Sequence, residues 1–594
     1  MRAAKISKLI FLLLFSYCFV LPASAQQYTW WNPAQSKFPV LEGQAWPSEV
    51  QHPYDRLPAR AEKQVRKEVW NLSHEAAGLS IRFKSNASSI VVRYVVSERL
   101  SMPHMPATGV SGLDLYALNR DGQWQWAPGK YSFKDTIEYR FDHLYTDDSY
   151  PSRGAVYQLY LPLYNVVTWM EIGVPSNATF TPLPVRPEKP IVVYGTSIAQ
   201  GACASRPGMA WTAQLGRRLD RQVINLGFSG NGRLEDAVTN LLAGINAQAY
   251  ILDCMPNLTE RSGFSSGEVK KRIRQSVMIL KEKHPQTPIL LAAHSGMIQQ
   301  VMDTAVKNNN DKIDETLQEA FTALQAEGVT GIYLMPQQAI GFGENSTVEG
   351  THPNDIGMKE YAEAYEKYLR QILDEPTGDY STMQPVEQYR DGNYDWEERH
   401  DRLLSMNKQH APDILFLGNS ITHYWGGEPK APIARGTASW DSLFAPLGAR
   451  NFGFGWDRIE NVLWRVYHDE LDGYQARKAV LMIGTNNLQF NNDEEIIAGL
   501  KLLIHEIQAR QPSCKIIMVG LLPRRSMEDK VKELNQQIAQ MAALQNVAYV
   551  NPGILLLKDN DPTKIDESLF VDGLHPNETG YRKIALSLIK YLKN

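Results

Sequence analysis

The sequence predicts a multidomain chain in which an all-β sandwich precedes two α/β domains built on parallel sheets. Three observations predict it. One block of sequence recurs at a fixed offset, buried apolar runs alternate with helical spacing inside each copy, and the region ahead of both copies carries short alternating runs broken by turn residues. The 594 residues are 43% hydrophobic and 21% charged, ordinary globular composition that excludes a disordered, collagenous or multi-span membrane chain. At ~150 residues per domain, this length is enough for several cores.

The first 25 residues pass from Arg2, Lys5 and Lys8 through an apolar stretch, Leu9 to Leu21, to Ala23-Ser24-Ala25, the three regions of a secretory signal with cleavage expected after Ala25. Tyr17 stands before Cys18 where a lipoprotein signal has a small residue. A soluble exported protein, periplasmic or secreted, is therefore expected. Losing three basic residues takes the formal charge from −4 to −7, which argues against nucleic acid or an anionic membrane surface as partner, and no membrane insertion is expected. Cys203, Cys254 and Cys514 are too few for a disulfide scaffold and are not spaced as zinc ligands. A Cys203–Cys254 bridge and two buried free thiols both stay open at this point.

Residues 26–185 read as the sandwich: Leu79-Ser-Ile-Arg-Phe and Ile90-Val-Val-Arg-Tyr-Val alternate with turns rich in Gly, Pro, Asn and Asp. Trp30, Trp31, Trp46, Trp70, Trp124 and Trp126 fit its core, with sugar stacking as the alternative. The repeat follows. Ile191-Val-Val-Tyr-Gly-Thr-Ser197-Ile reappears in outline as Ile414-Leu-Phe-Leu-Gly-Asn-Ser420-Ile, and Gly350-Thr-His352-Pro-Asn-Asp-Ile-Gly357 as Gly573-Leu-His575-Pro-Asn-Glu-Thr-Gly580. The offset is 223 both times, leaving 155 residues from serine to histidine in each copy. Apolar runs at Ala249 to Asp253 and Lys478 to Ile483 read as further buried strands, so each copy has the βα alternation of a parallel sheet covered on both faces. The expected domains are 186–376 and 411–594. A linker and leading helix occupy 377–410, with the helix over Asp395 to Lys408.

A serine just past a buried strand stands where α/β sheets expose groups to ligands. Alone it proves little, because serine is also a favoured helix cap. The order of the other residues supplies the rest. In the first copy, Ser197 would attack an acyl carbon and His352 would take its proton. The backbone amides of Ser197 and Gly230, with the side chain of Asn257, would hold the oxyanion at ~3 kcal/mol per donor, and Glu349 would fix the histidine tautomer. The second copy repeats the order with Ser420, then Asn451-Phe-Gly-Phe-Gly455-Trp456-Asp457, then Gly484-Thr-Asn486, then Asp572-Gly-Leu-His575. His294-Ser295 at a strand end reads as structural, and His423, Tyr424 and Trp425 are near enough to Ser420 to line its pocket.

These blocks resemble the SGNH/GDSL hydrolase superfamily, whose Ser, Gly, Asn and His fall in this order with an Asp three residues before the His. The resemblance implies flavodoxin-like three-layer catalytic domains and Asp572 as second-copy carboxylate. Asn451 to Arg458, Val462-Leu-Trp-Arg465 and Gly484-Thr-Asn-Asn487 are similar to the platelet-activating-factor acetylhydrolase-like branch. Gly195-Thr-Ser-Ile-Ala-Gln-Gly201, Asp253-Cys-Met-Pro-Asn257 and Gly112-Leu-Asp-Leu-Tyr116 resemble bacterial GDSL esterases with an N-terminal, jelly-roll-like sandwich of the GxDLY type. Two residues depart from the pattern. Glu349 replaces Asp, and Trp456 stands at the oxyanion glycine, where a positive φ suits tryptophan poorly and Gly455 is the expected substitute donor.

The expected activity is ester hydrolysis, most of all deacetylation of an O-acetylated oligo- or polysaccharide, without cofactor or metal. A lysophospholipase or short-chain lipid esterase is the alternative within enzymes. A glycan-binding protein with one lapsed catalytic copy is the alternative outside them.

Overall fold

The computed structural model of the chain describes residues 27–119, 123–144, 154–296, 298–375, 380–388 and 394–593. The expected secretory signal, Cys18 included, lies outside them.

The sandwich strands are β1 (Tyr28–Trp31), β2 (Leu41–Glu42), β3 (Ser80–Ser85), β4 (Ser89–Val96), β5 (Asp114–Leu118), β6 (Trp124–Ala127), β7 (Lys130–Ser132), β8 (Ile137–Asp142), β9 (Ala155–Tyr160), β10 (Val167–Pro175) and β11 (Phe180–Pro182). They form two antiparallel sheets, β1-β10-β4-β8-β7 and β11-β3-β9-β5-β6, with β2 beside β3. Period-two patterning sets the inward faces. In β8, Ile137, Tyr139 and Phe141 are buried and the residues between them half-buried, and the inward set meets Ile81, Phe83, Leu115 and Leu159 of the other sheet.

The segment between β2 and β3 turns away from this core. Trp46, Leu57, Val65, Val69 and Trp70 pack instead with Val192, Tyr194 and Leu226 of the first α/β unit. A second joint comes from β5. Buried Asp114 accepts from the Arg206 guanidinium, from the Gly208 amide (3.0 Å) and from the Trp126 indole (2.6 Å), while Tyr116 accepts from Arg206 at 2.7 Å. The Gly-Leu-Asp-Leu-Tyr motif thus fastens the sandwich to the loop after Ser197.

In the first α/β unit, β12 (Ile191–Gly195), β13 (Val223–Gly227), β14 (Ala249–Asp253), β15 (Ile289–Ala292) and β16 (Ile332–Met335) form a parallel sheet ordered β13-β12-β14-β15-β16. The second unit repeats it as β17 (Ile414–Gly418), β18 (Ala449–Gly453), β19 (Lys478–Met482), β20 (Lys515–Val519) and β21 (Ala548–Val550), ordered β18-β17-β19-β20-β21. Every residue of β12 and β17 is buried, as strands covered on both faces must be. The chain order reverses beside these two strands, so the crevice at their carboxyl ends is the topological switch point. A helix over Trp396–Gln409 leads into β17. Among the described residues no helix is long and apolar enough to cross a membrane, and Cys203, Cys254 and Cys514 are free thiols.

Candidate active sites

Each serine is delivered by a fully buried strand to the first position of a one-turn helix, Ser197–Gln200 and Ser420–His423. The preceding residue does the capping: Thr196 accepts the Ile198 amide (3.3 Å) and Asn419 the Ile421 amide (3.0 Å). Capping therefore does not consume either serine hydroxyl. Gly195 is required at the strand end, where a Cβ would lie 2.5 Å from that of Ala199 and 3.1 Å from the Asp253 carbonyl oxygen.

Ser197 Oγ lies 2.8 Å from His352 Nε2, and His352 Nδ1 lies 2.7 Å from Glu349 Oε1. In the second unit His575 Nε2 is 2.9 Å from Ser420 Oγ, and its Nδ1 is 2.7 Å from Asp572 Oδ2. A carboxylate at Nδ1 holds the proton there and leaves Nε2 as the acceptor facing the serine. The extra methylene of Glu349 changes how the carboxylate is used. Its single Oε1 takes both the His352 backbone N–H (2.6 Å) and the ring, whereas Asp572 divides the work, Oδ1 taking the Leu574 and His575 amides (3.0 and 2.7 Å) and Oδ2 the ring. Partial burial works to raise the Asp572 pKa, but the His575 backbone N–H and ring together hold it down to about 2. Burial lowers the His575 pKa below the ordinary 6.5, with Asp572 opposing.

Gly230 sits at φ +67, with nothing near the position of a Cβ. Among the described residues neither its amide nor that of Ser197 has an acceptor. Asn257 accepts the Gly232 amide through Oδ1 (3.2 Å), which leaves its NH2 as the other end. Trp456 matches Gly230 in the second unit, at φ +68 and 48% exposed. The expectation that Gly455 would donate in its place is corrected by the structure, because the Gly455 amide is spent on His423 Nδ1 at 3.2 Å. A left-handed tryptophan costs roughly 1–2 kcal/mol and persists because its neighbours are pinned. Gln388 Nε2 and the Tyr394 hydroxyl both donate to the Gly455 carbonyl (2.9 Å each), and buried Asp457 accepts from the Trp396 indole (2.8 Å) and Arg465 (3.0 Å). Asn486 donates to the Asp457 carbonyl (3.0 Å), keeping one N–H for a ligand.

Sequence reasoning missed the residues that hold these loops from behind. Fully buried Arg56, from the segment between β2 and β3, donates to the carbonyls of Asn225 (3.2 Å) and Gly227 (2.7 Å). Arg399, from the leading helix, donates to the matching carbonyls of Asn451 (3.1 Å) and Gly453 (2.9 Å). No local pattern marks either arginine, since each acts on a strand far along the chain.

The sandwich also walls the first site. His104 stacks on His352 with centroids 5.9 Å apart, over a hollow of about 430 Å³ whose lining includes Glu68, Glu75, Met102, His104, Ser229 and Asn231. Glu75 is pushed up to about 7, chiefly by burial. Of the residues near Ser420, Tyr424 packs on His575 (5.4 Å), whereas Trp425 is fully buried core and His423 lies under the loop. His294 is buried and accepts the Gly296 amide (3.0 Å), a structural role. Cys203 Sγ is near His352 and Glu349, and burial first, then Glu349, raises its thiol to about 12, which keeps it protonated and unreactive as a nucleophile.

Comparison with known proteins agrees with this geometry. The sequence profile of the GDSL-like lipase/acylhydrolase family matches residues 188–370 and, in a second form, 416–583, and the profile of the N-terminus of SGNH-hydrolase-type esterases matches 28–180. Human platelet-activating factor acetylhydrolase IB subunit alpha2 is 32% identical over 203 residues, covering 33% of this chain and 83% of that protein, and the alpha1 subunit is 28% identical over a similar span. A crystal structure from Bacteroides ovatus, described as that of a GDSL-like lipase, is 34% identical with a TM-score of 0.53, covering 59% of this chain and 98% of that one. The chain therefore belongs to the GDSL/SGNH hydrolase family, as an esterase that carries the catalytic fold twice behind a GxDLY-type N-terminal domain.

Proposed function

We propose that the chain is an exported serine esterase with two working sites, removing acetyl groups from an O-acetylated polysaccharide. Ser197 passes its proton to His352 Nε2 as Oγ attacks the acetyl carbon, and the oxyanion forms against the amides of Ser197 and Gly230 and the NH2 of Asn257. On collapse, His352 returns the proton to the departing sugar oxygen. Water, activated by the same histidine, then attacks the acyl-serine and releases acetate. Ser420, His575 and Asp572, with the backbone amides of Ser420 and Trp456 and the side chain of Asn486, run the same cycle in the second unit.

The observation that carries the substrate class is the hollow beside Ser197. Glu68, Glu75, His104, Ser229 and Asn231 offer donors and acceptors suited to sugar hydroxyls, beside apolar surface from Leu72, Met102, Tyr164 and Ala202 on which a sugar face can rest. A short-chain lipid ester is the second reading, favoured by relatives named for platelet-activating factor. Acetate release from a panel of acetylated polysaccharides, beside 4-nitrophenyl esters of increasing chain length, separates them. Activity highest on acetate and on polymer supports the proposal; rates climbing with chain length and absent on polymer reject it.

Two further results are expected of the second site, measured with Ser197→Ala in place. His575 must be neutral to accept a proton and its pKa is lowered, so the acid limb of kcat/KM falls below pH 6.5. A pH–rate profile with that limb above 6.5 contradicts the geometry. Trp456 acts through its backbone amide, so Trp456→Gly keeps the donor and relieves the left-handed strain. Its kcat/KM then changes far less than the ~10²–10³ lost with an oxyanion donor.

A further inference from the structure

We infer that His52, Asp55 and His74 form a binding site for a divalent transition-metal ion of the zinc class, outside both triads. The Asp55 side chain is only 1% exposed. Its Oδ1 faces His74 Nδ1 at 2.8 Å, and its Oδ2 faces His52 Nδ1 at 3.3 Å and accepts the His52 amide at 2.9 Å. Among the described residues no lysine or arginine pairs with this carboxylate, so the two imidazoles are its partners. Buried carboxylates are paired with a cation or coordinate a metal.

The three ligand atoms lie within 4.8 Å of one another. Zinc bonds of about 2.0–2.1 Å in a tetrahedron place neighbouring ligand atoms roughly 3.3–3.4 Å apart. The His52 Nδ1–Asp55 Oδ2 separation of 3.3 Å has that value already, and His74 Nδ1, which faces Oδ1 at 2.8 Å, belongs to the same set of atoms within 4.8 Å, so ring rotation brings the three onto one ion. Two nitrogens and one carboxylate oxygen suit zinc, and three protein ligands leave a fourth position open.

The backbone around the site is set before any ion arrives. Buried Gln44 donates to the carbonyls of Pro53 and Asp55 (2.9 Å each), and the Arg56 amide donates to Ser73 O (2.8 Å), tying the Asp55 turn to the residue before His74. The His74 ring packs edge-on against Trp70 at 4.7 Å. Both imidazoles line a cavity of about 950 Å³ that shares Leu72, Glu75, Met102, His104 and Tyr164 with the hollow at His352. The open coordination position is therefore reached from the approach to the first active site, where an oxygen of a bound molecule would complete the shell.

The test uses the full mature chain stripped with a chelator and titrated calorimetrically with Zn²⁺, then loaded with Co²⁺ for visible spectroscopy. The expected result is one site, weakened at least about tenfold by His74→Ala, His52→Ala and the near-isosteric Asp55→Asn, unaffected by His352→Ala, and showing the cobalt bands of nitrogen and oxygen ligands only. Three results overturn it: no saturable uptake by the parent chain, equal uptake by the His52→Ala/His74→Ala double variant, or a thiolate-to-cobalt band that moves the ion to Cys203. Far-UV circular dichroism of each variant separates lost binding from lost fold.

Discussion

Replacing Ser197 and Ser420 together with alanine is expected to lower acetate release from 4-nitrophenyl acetate by at least ~10³-fold, while each single variant keeps the share of the untouched site. Removing a triad nucleophile typically costs of that order or more, because the histidine and its carboxylate have no acyl acceptor left to act on. The serines stand in separate sheets, each paired with a histidine 155 residues further on at 2.8 or 2.9 Å, so the losses should combine as independent sites do. Total loss from one single substitution would mean that the other copy does not turn over, and activity persisting in the double variant would remove both serines from the chemistry. Positional analysis of a multiply acetylated oligosaccharide then tells whether the copies divide the work. Identical products from the two single variants would reject such a division.

Arg465→Met is expected to destabilise the second α/β unit by about 3–5 kcal/mol, the range for removing one partner of a buried ion pair. The Arg465, Asp457 and Glu470 side chains are all 0% exposed. The guanidinium donates to Asp457 Oδ2 (3.0 Å), to Glu470 and to the Phe452 carbonyl (3.3 Å), and lies 4.0 Å from the Phe454 ring centroid. Methionine fills part of the volume but leaves two carboxylates in the core, with His400 at 2.9 Å the side-chain partner left to Glu470 among the described residues. Burial already pushes Asp457 up to about 7 against the pull of Arg465, so without the arginine it should take up a proton at neutral pH. Because Asp457 follows Trp456, activity at Ser420 should fall with stability while that at Ser197 stays intact. Denaturant unfolding followed by acetate release in each single-serine background checks both parts. A loss under about 1 kcal/mol would show that the network is dispensable.

Most of the frame and the centre of each site can be read from the sequence. Runs such as Ile191 to Tyr194 and Ile414 to Leu417 announce strands buried on both faces, and the shared 223-residue offset ties each serine to its own histidine before any geometry is known. Glu349 is legible as the carboxylate by position, but its use of one oxygen for two bonds depends on backbone that composition does not encode. Gly455 was the reasonable donor because glycine tolerates positive φ. The chain places tryptophan there instead, since Gln388, Tyr394, Trp396 and Arg465 fix the residues on either side. Arg56, Arg399 and His104 leave no trace in periodicity, and their roles exist only once distant segments are folded together.

The two buried arginines bear on where this chain can be cut. Asn451 and Gly453 present their carbonyls to a guanidinium carried on the helix before β17, and Asn225 and Gly227 present theirs to one carried far ahead of β12. A fragment trimmed to the sheet and its covering helices would leave those carbonyls facing an empty slot. The smallest self-sufficient piece of either half therefore begins upstream of its own arginine, at the segment before β3 for the first half and at the helix Trp396–Gln409 for the second.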